Sequence, residues 1–307
     1  MADIDLQDVH DTLLAIAFEA ARMIMSANPN DISQDTKLNS ADIVTETDRA
    51  VEKMVSTRLQ SKYPTYAFVG EETYVPGQTR VTDAPTFIVD PIDGTTNFVH
   101  GFPEACISLG FAVARQPAVG VVYNPFHDLL FTAVAGRGSY MQRAAAACPP
   151  GPRLRLPLAG RGDAARAPPL RGLASALLAV EWGSARDGPA FELKAATFRA
   201  LAASREAGGA MVHSLRSLGS AALNLCACAA GQVDMYWEGG CWAWDVAAGW
   251  AILAEAGGRM VGGNPGDWDV AIDGRVYLAV RGAPSGQDEL VQELWGVIGE
   301  GRMEYEA

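Results

Sequence analysis

The sequence predicts a mixed helix-and-sheet protein. Three features carry that expectation: a first segment with apolar residues at helical spacing, a middle stretch of strand-like runs alternating with turns, and a second half in which strands and helices follow one another. Leu6, Val9, Leu13, Ile16, Ala20, Met23 and Ile24 put a helix over residues 5–26, which Asn28-Pro29-Asn30 ends. A polar loop with Lys37 and Asp42 leads to a second helix from about Asp48 to Tyr63, with Val51, Met54, Val55 and Leu59 on one face and Asp48 placed to cap its start. Tyr66 to Val69 reads as a short buried strand that delivers Gly70-Glu71-Glu72 at its end. Ile107–Val113, Ala118–Tyr123 and Leu129–Ala133 suggest an antiparallel sheet. The second half restarts with a strand at Ala176–Glu181 and continues with helices near 189–203, 219–230 and 245–255, strands at Val233–Trp237 and Tyr277–Val280, and an amphipathic helix at 287–298. Gly257-Gly258 is the expected stop for the helix before it.

At 307 residues the chain can bury a large core, and 49% apolar residues with 8% aromatics describe an ordinary globular protein. Acidic residues outnumber basic ones 36 to 24, and the net charge of −12 opposes non-specific binding to nucleic acid or to an anionic membrane. An anionic substrate would therefore need local charge reversal, which a divalent metal provides. The acidic first residues lack the pattern of a signal peptide, and no run approaches the ~18 apolar residues of a membrane span, so a cytoplasmic location is expected. Cys106, Cys148, Cys226, Cys228 and Cys241 show no CxxC spacing and are expected to be reduced, mostly as core filling. Residues 143–172 hold six arginines, one acid and no aromatic residue, which predicts a solvated loop outside the core; contact with a phosphate or an acidic partner is the alternative.

The chemistry concentrates at residues 86–103. The apolar run Phe87–Val89 stops at Asp90, and Pro91 removes the next N–H, so the strand is expected to end at Asp90. Residues three apart on a straight strand face opposite ways, so a turn at Pro91 and Gly94 is needed to bring Asp93 back to the same ion. Gly94, Thr95 and Thr96 then offer N–H groups and hydroxyls to an anion. Glu71, Asp90, Asp93 and Asp245 all lie at element ends. Taken singly, Glu71 is equally a loop acid, Asp93 a turn former and Asp245 a helix cap. Asp90 is different, because a carboxylate ending a buried strand needs a partner for its charge. Oxygen ligands without histidine or cysteine select Mg²⁺, Ca²⁺ or Mn²⁺ over zinc.

The joint pattern resembles the inositol monophosphatase family. It comprises Gly70-Glu71-Glu72, Asp90-Pro91-Ile92-Asp93-Gly94-Thr95-Thr96-Asn97-Phe98 and Trp244-Asp245-Val246-Ala247-Ala248-Gly249 with Glu255-Ala256-Gly257-Gly258. Asp42 to Asp48, Gly120 to Tyr123 and Arg216 to Ala222 extend the likeness over most of residues 5–300. The resemblance implies the layered αβαβα sandwich of the inositol monophosphatase and fructose-bisphosphatase superfamily, with an α+β part over 1–180, an α/β part over 181–307 and the site at their junction. It implies hydrolysis of inositol monophosphate by metal-activated water, with two or three Mg²⁺ per subunit, lithium sensitivity and a homodimer. Carried over, Glu71, Asp90, the Ile92 carbonyl, Asp93 and Asp245 match the metal ligands. Thr95 with Asp48 and Lys37 matches the group that works with Glu71 on the attacking water. The amides of Gly94 and Thr95 match the phosphate contacts, and Asp93, Ser184, Gly219, Ser220, Ala221 and Glu238 match other substrate contacts. The stretch Tyr236 to Trp244 departs from the animal pattern and is similar to that of fungal members and of a phosphatase-like protein of fungal quinate-use clusters. Its tryptophans read either as packing beneath the site or as a substrate-facing wall. Action on another sugar, nucleotide or polyol phosphate, or a non-catalytic regulatory role, are the alternatives that the resemblance leaves.

Overall fold

The computed structural model describes residues 4–27, 34–36, 43–158 and 167–305. Helix α1 (Leu6–Ser26) starts at the N-cap Asp5, whose carboxylate accepts from the amides of Gln7 and Asp8, and it buries Val9, Leu13, Ile16, Ala17, Ala20 and Ile24 on one face. The short strands β1 (Gln34–Thr36) and β2 (Ile43–Thr45) form an antiparallel pair ahead of α2 (Glu46–Lys62). Lys37 and Asp42 lie outside the described residues. The cap of α2 is Thr45, not Asp48. Asp48 sits three residues into the helix and accepts from the Thr45 amide at 2.9 Å, so the expected cap is instead the second half of a capping box.

A seven-stranded sheet follows, in the order β3 (Ala67–Gly70), β4 (Thr86–Asp93), β5 (Cys106–Val113), β6 (Gln116–Asn124), β7 (Leu129–Val134), β8 (Gly138–Arg143) and β9 (Arg153–Arg155). Strands β3 and β4 are parallel and the remaining neighbours antiparallel. The short α3 (Thr95–His100) connects β4 to β5. The second sheet has five strands in the order β11 (Ser214–Arg216), β10 (Leu177–Val180), β12 (Met235–Gly239), β14 (Val276–Val280) and β13 (Arg259–Gly262). Its helices are α4 (Gly188–Ala202), α5 (Ala221–Ala229), α6 (Ala243–Glu255) and α7 (Gln287–Ile298).

The layers read helix, sheet, helix, sheet, helix. Helices α1 and α2 pack on one face of the large sheet through Leu13, Ile16, Val51, Val55, Phe87 and Phe111. Helices α5 and α6 fill the space between the sheets, joining Val122 and Phe131 of one to Tyr236 and Tyr277 of the other. Helices α4 and α7 close the far side over Leu178, Trp237 and Leu278. Helix α6 is apolar nearly all round, as burial between two sheets requires. Its approach is unusually close because the facing pair Gly110 and Gly120 has no side chain: a Cβ on Gly120 would lie 2.2 Å from the Ala248 carbonyl oxygen, and one on Gly110 would lie 2.8 Å from the Ala247 Cβ.

Residues 143–172 correct the expectation of a wholly solvated loop. Arg153–Arg155 adds an exposed edge strand, but Leu156, Ala167 and Leu170 are buried. Leu156 joins the core between the sheets, and Leu170 the core on the far side of the second sheet. Residues 159–166 lie outside the described residues. Four of the five cysteines are buried and all are free, as core filling requires. Among the described residues no helix is long and apolar enough to cross a membrane.

Candidate active site

Strand β4 does not end at Asp90. It runs through Pro91 to Asp93 across a bulge, with Asp90 opposite Ser108 and Asp93 opposite Cys106, so β4 spends three residue steps where β5 spends two. The extra residue reverses the alternation and brings both carboxylates to one side without the expected turn. Proline is tolerated at such a bulge because its missing N–H is not needed by the ladder. Gly94, at φ 89°, then turns the chain into α3.

Asp90, Asp93 and Asp245 offer carboxylate oxygens that all lie within 4.8 Å of one another. One oxygen of each is held by the surrounding fold. Oδ1 of Asp90 accepts from the Ile92 amide at 3.0 Å. Oδ2 of Asp93 accepts from the Ser220 hydroxyl at 2.5 Å and the Ala222 amide at 2.8 Å. Oδ2 of Asp245 accepts from the Trp242 amide at 2.7 Å at the start of α6. Burial raises all three above the ordinary carboxylate range. For Asp90 the next cause is the charge of Glu71, then those of Asp93 and Asp245, and it lies well above that range; Asp245 is also far up, with the charges of Asp93 and Glu71 next. Asp93 is pushed up to about 6, restrained by the bonds from Ser220 and Ala222. Glu71, whose amide donates to the Val89 carbonyl at 3.2 Å, lines the same cavity, outside the three-carboxylate cluster but near enough to act on it.

The Thr95 hydroxyl lies 2.9 Å from the Ile92 carbonyl and 3.2 Å from Oδ1 of Asp48. Asp48 is buried and pushed up to about 6, by desolvation first and by the charge of Glu71 among the lesser causes. The cavity measures about 760 Å³ and is lined by Glu71, Asp93, Gly94, Thr95, Ser184, Gly219, Ser220, Ala221, Glu238 and Asp245. This is a usual size for a small-molecule site. Of the remaining expected residues, Asp90, Asp48 and Ile92 stand behind this lining. Ser220 commits its oxygen inward: it donates to Asp93 and accepts from the Leu223 amide at 3.2 Å as the N-cap of α5. Glu238 accepts from the Tyr236 hydroxyl and is pushed up to about 7, by burial first and then by the charge of Glu181.

Sequence reasoning missed several residues. Glu181 is buried at the end of β10 and accepts from the amides of Leu218 and Gly219 at 2.6 and 2.9 Å and from Asn224 at 2.8 Å, fixing the Gly219 turn. Its signal was available, since it follows Leu177–Val180 as Asp90 follows Phe87–Val89. Asn97 ties α3 to the same turn, donating to the carbonyls of Leu218 at 2.6 Å and Glu104 at 2.7 Å. Lys194 is buried in α4 and donates to the carbonyls of Trp182 and Gly239. No local pattern in the sequence pointed to it. The tryptophans Trp242 and Trp244 stack at 5.2 Å between centroids and both line the cavity with Tyr74, so they are wall and packing together.

Residues 5–298 match the inositol monophosphatase family. The chain belongs to that family. It is 41% identical to "Inositol monophosphatase 2" of Saccharomyces cerevisiae, over 98% of each chain. It is also 40% identical to "Quinic acid degradation cluster protein x" of Neurospora crassa, over 91% of this chain and 88% of that one. Among solved structures, the extragenic suppressor protein suhB from Bartonella henselae superposes with a TM-score of 0.73 at 26% identity, covering 96% of this chain and 100% of that one. The inositol monophosphatase family is thus shown by sequence over almost the whole chain, and the layered sandwich by structure.

Proposed function

We propose that this family member is a Mg²⁺-dependent phosphomonoesterase that hydrolyses inositol monophosphate to myo-inositol and phosphate. The observation that carries the reading is the cluster of Asp90, Asp93 and Asp245, of which Asp93 and Asp245 line the same cavity as Glu71 and Thr95, the latter paired with Asp48. The donor set fits a hard divalent cation: it is all oxygen, and its carboxylates repel one another when ionised. Asp90, Asp93, Asp245, Glu71 and the Ile92 carbonyl would hold it. When bound, Mg²⁺ lowers the pKa of a ligated water and neutralises charge on the phosphoryl and leaving oxygens.

The chain's own groups do the rest. The Thr95 hydroxyl, fixed between Asp48 and the Ile92 carbonyl, orients the attacking water, and a Glu71 carboxylate oxygen accepts its proton. By family resemblance Lys37 supports this pair, and the Gly94 and Thr95 amides hold the phosphate. Glu238 accepts hydroxyls of the alcohol, while Ser184, Gly219, Ser220 and Ala221 shape its pocket. A homodimer, a cytoplasmic location, a third weaker Mg²⁺ and inhibition by Li⁺ belong to the same reading. The test is phosphate release from D-myo-inositol 1-phosphate with and without millimolar Mg²⁺, beside fructose 1,6-bisphosphate and 3′-phosphoadenosine 5′-phosphate. Mg²⁺-dependent release with preference for the inositol ester is expected, and preference for either of the others would overturn the substrate assignment.

A further inference from the structure

The C-terminal segment folds back onto the candidate site. After α7 the chain passes Gly299 and Gly301 and is fastened by a two-way amide clamp: the Met303 amide donates to Oδ1 of Asn264 at 2.7 Å, and Nδ2 of Asn264 donates to the Met303 carbonyl at 2.9 Å. Both residues are buried. Arg302 adds a forked contact to Asp267 at 2.8 and 3.0 Å. The clamp delivers Tyr305 to the cavity, where its ring joins the lining beside Glu238, Gly240 and Trp242.

Two cations and a glycine lie against the ring. Arg275 lies between two aromatic faces, 3.3 Å from the centre of Trp242 and 5.6 Å from that of Tyr305. Its guanidinium donates to the carbonyls of Cys241 at 2.8 Å and Gly240 at 2.9 Å, which pins that sandwich to the loop before α6. Lys194 lies 5.7 Å from the centre of the tyrosine ring. The absence of a side chain at Gly239 makes the room: a Cβ there would lie 2.6 Å from Sδ of Met303 and 2.9 Å from the Tyr305 ring.

We propose that Tyr305 is a specificity-determining residue, the wall against which the carbocyclic face of the alcohol packs while Glu238 takes its hydroxyls. The inference rests on the phosphatase reading above. A ring positioned by cations and a clamped main chain is a pre-organised apolar platform, and a cyclic polyol offers it a face of C–H groups once its hydroxyls are turned to acceptors. The same ring limits the depth available to a larger alcohol. Tyr305 lines the cavity with Glu238, which takes the alcohol's hydroxyls, so its removal is expected to act on the alcohol.

The test compares the wild-type protein, Tyr305→Ala and Tyr305→Phe, each checked by thermal melting, on D-myo-inositol 1-phosphate and on adenosine 2′-monophosphate with saturating Mg²⁺. Tyr305→Ala is expected to raise KM for the inositol ester about three- to tenfold with kcat within about twofold, and to shift the kcat/KM ratio toward the nucleotide at least fivefold. Tyr305→Phe, which keeps the ring, is expected to match the wild type in both. Unchanged KM and unchanged ratio in the alanine variant would overturn the proposal, as would a phenylalanine variant as impaired as alanine. If the wild type hydrolyses only the nucleotide, the inositol assignment fails separately. The wall then survives if Tyr305→Ala still moves KM for that ester and falls if it does not.

Discussion

The hydroxyl of Ser220 donates to Oδ2 of Asp93 at 2.5 Å, joining residues 127 positions apart in the chain. One is the N-cap of a helix between the sheets, and the other closes the bulge in β4. Ser220→Ala therefore removes a helix cap and one of the bonds that orient Asp93. The expected cost is roughly 1–2 kcal/mol of stability by denaturant unfolding. Weaker Mg²⁺ binding by calorimetry should accompany it, and Ser220→Thr, which keeps the hydroxyl, should restore both.

Asp90→Asn keeps the acceptor for the Ile92 amide but removes the charge that Glu71, Asp93 and Asp245 oppose. Turnover should fall by roughly 10³-fold or more. In metal-free protein at pH above the ordinary carboxylate range the melting temperature should rise rather than fall, because folding no longer has to bury a charge or take up a proton at this position. Full Mg²⁺-dependent activity in the variant would remove Asp90 from the site.

Glu238 gives a pH signature. Burial and Glu181 push it up to about 7 from an ordinary value of 4.5. A raised folded-state pKa means that the native state binds more protons than the unfolded chain between those values, so its contribution is fully present below 4.5 and is lost as pH rises through about 7. Glu238→Gln should therefore match the wild type in melting temperature at pH 4 and exceed it by roughly 2–5 °C at pH 8. A constant difference across that range would contradict the burial-driven shift.

Gly120→Ala places a methyl group 2.2 Å from the Ala248 carbonyl oxygen, and main chain cannot yield as a flexible side chain can. The variant should lose roughly 1–3 kcal/mol or more. Because the displaced helix carries Asp245, Mg²⁺ affinity should fall with stability. A variant that is destabilised but binds Mg²⁺ normally would uncouple the helix position from the site.

Much of the architecture was legible because the relevant signals are local. The period of Leu6 to Ile24 and the capping chemistry at the start of α2 locate helices within a residue or two, although the cap itself is Thr45 and not the expected Asp48. The short strands Ser214–Arg216 and Arg259–Gly262 were not foreseen, since each has only three or four residues and takes its form from its neighbours. The carboxylates stood out as acids at the ends of apolar runs. Their means of convergence did not, because the bulge at Pro91 is defined by register against β5. Lys194, Arg275 and Tyr305 were invisible for the same reason: nothing nearby in sequence distinguishes them, and only the packing of distant segments brings Arg275 and Tyr305 to the cavity and Lys194 against Tyr305.

Asp48 and Asp245 occupy the same position in their helices, three residues after the cap, and each accepts the cap residue's amide. Two helix starts and the candidate catalytic apparatus therefore share residues. A descendant that no longer needed the chemistry would still fray a helix by giving up either acid, so both would be expected to outlast the activity. Presence of these two acids in a relative is correspondingly poor testimony that it is an enzyme. The telling position is Asp90, whose charge the fold would be better without.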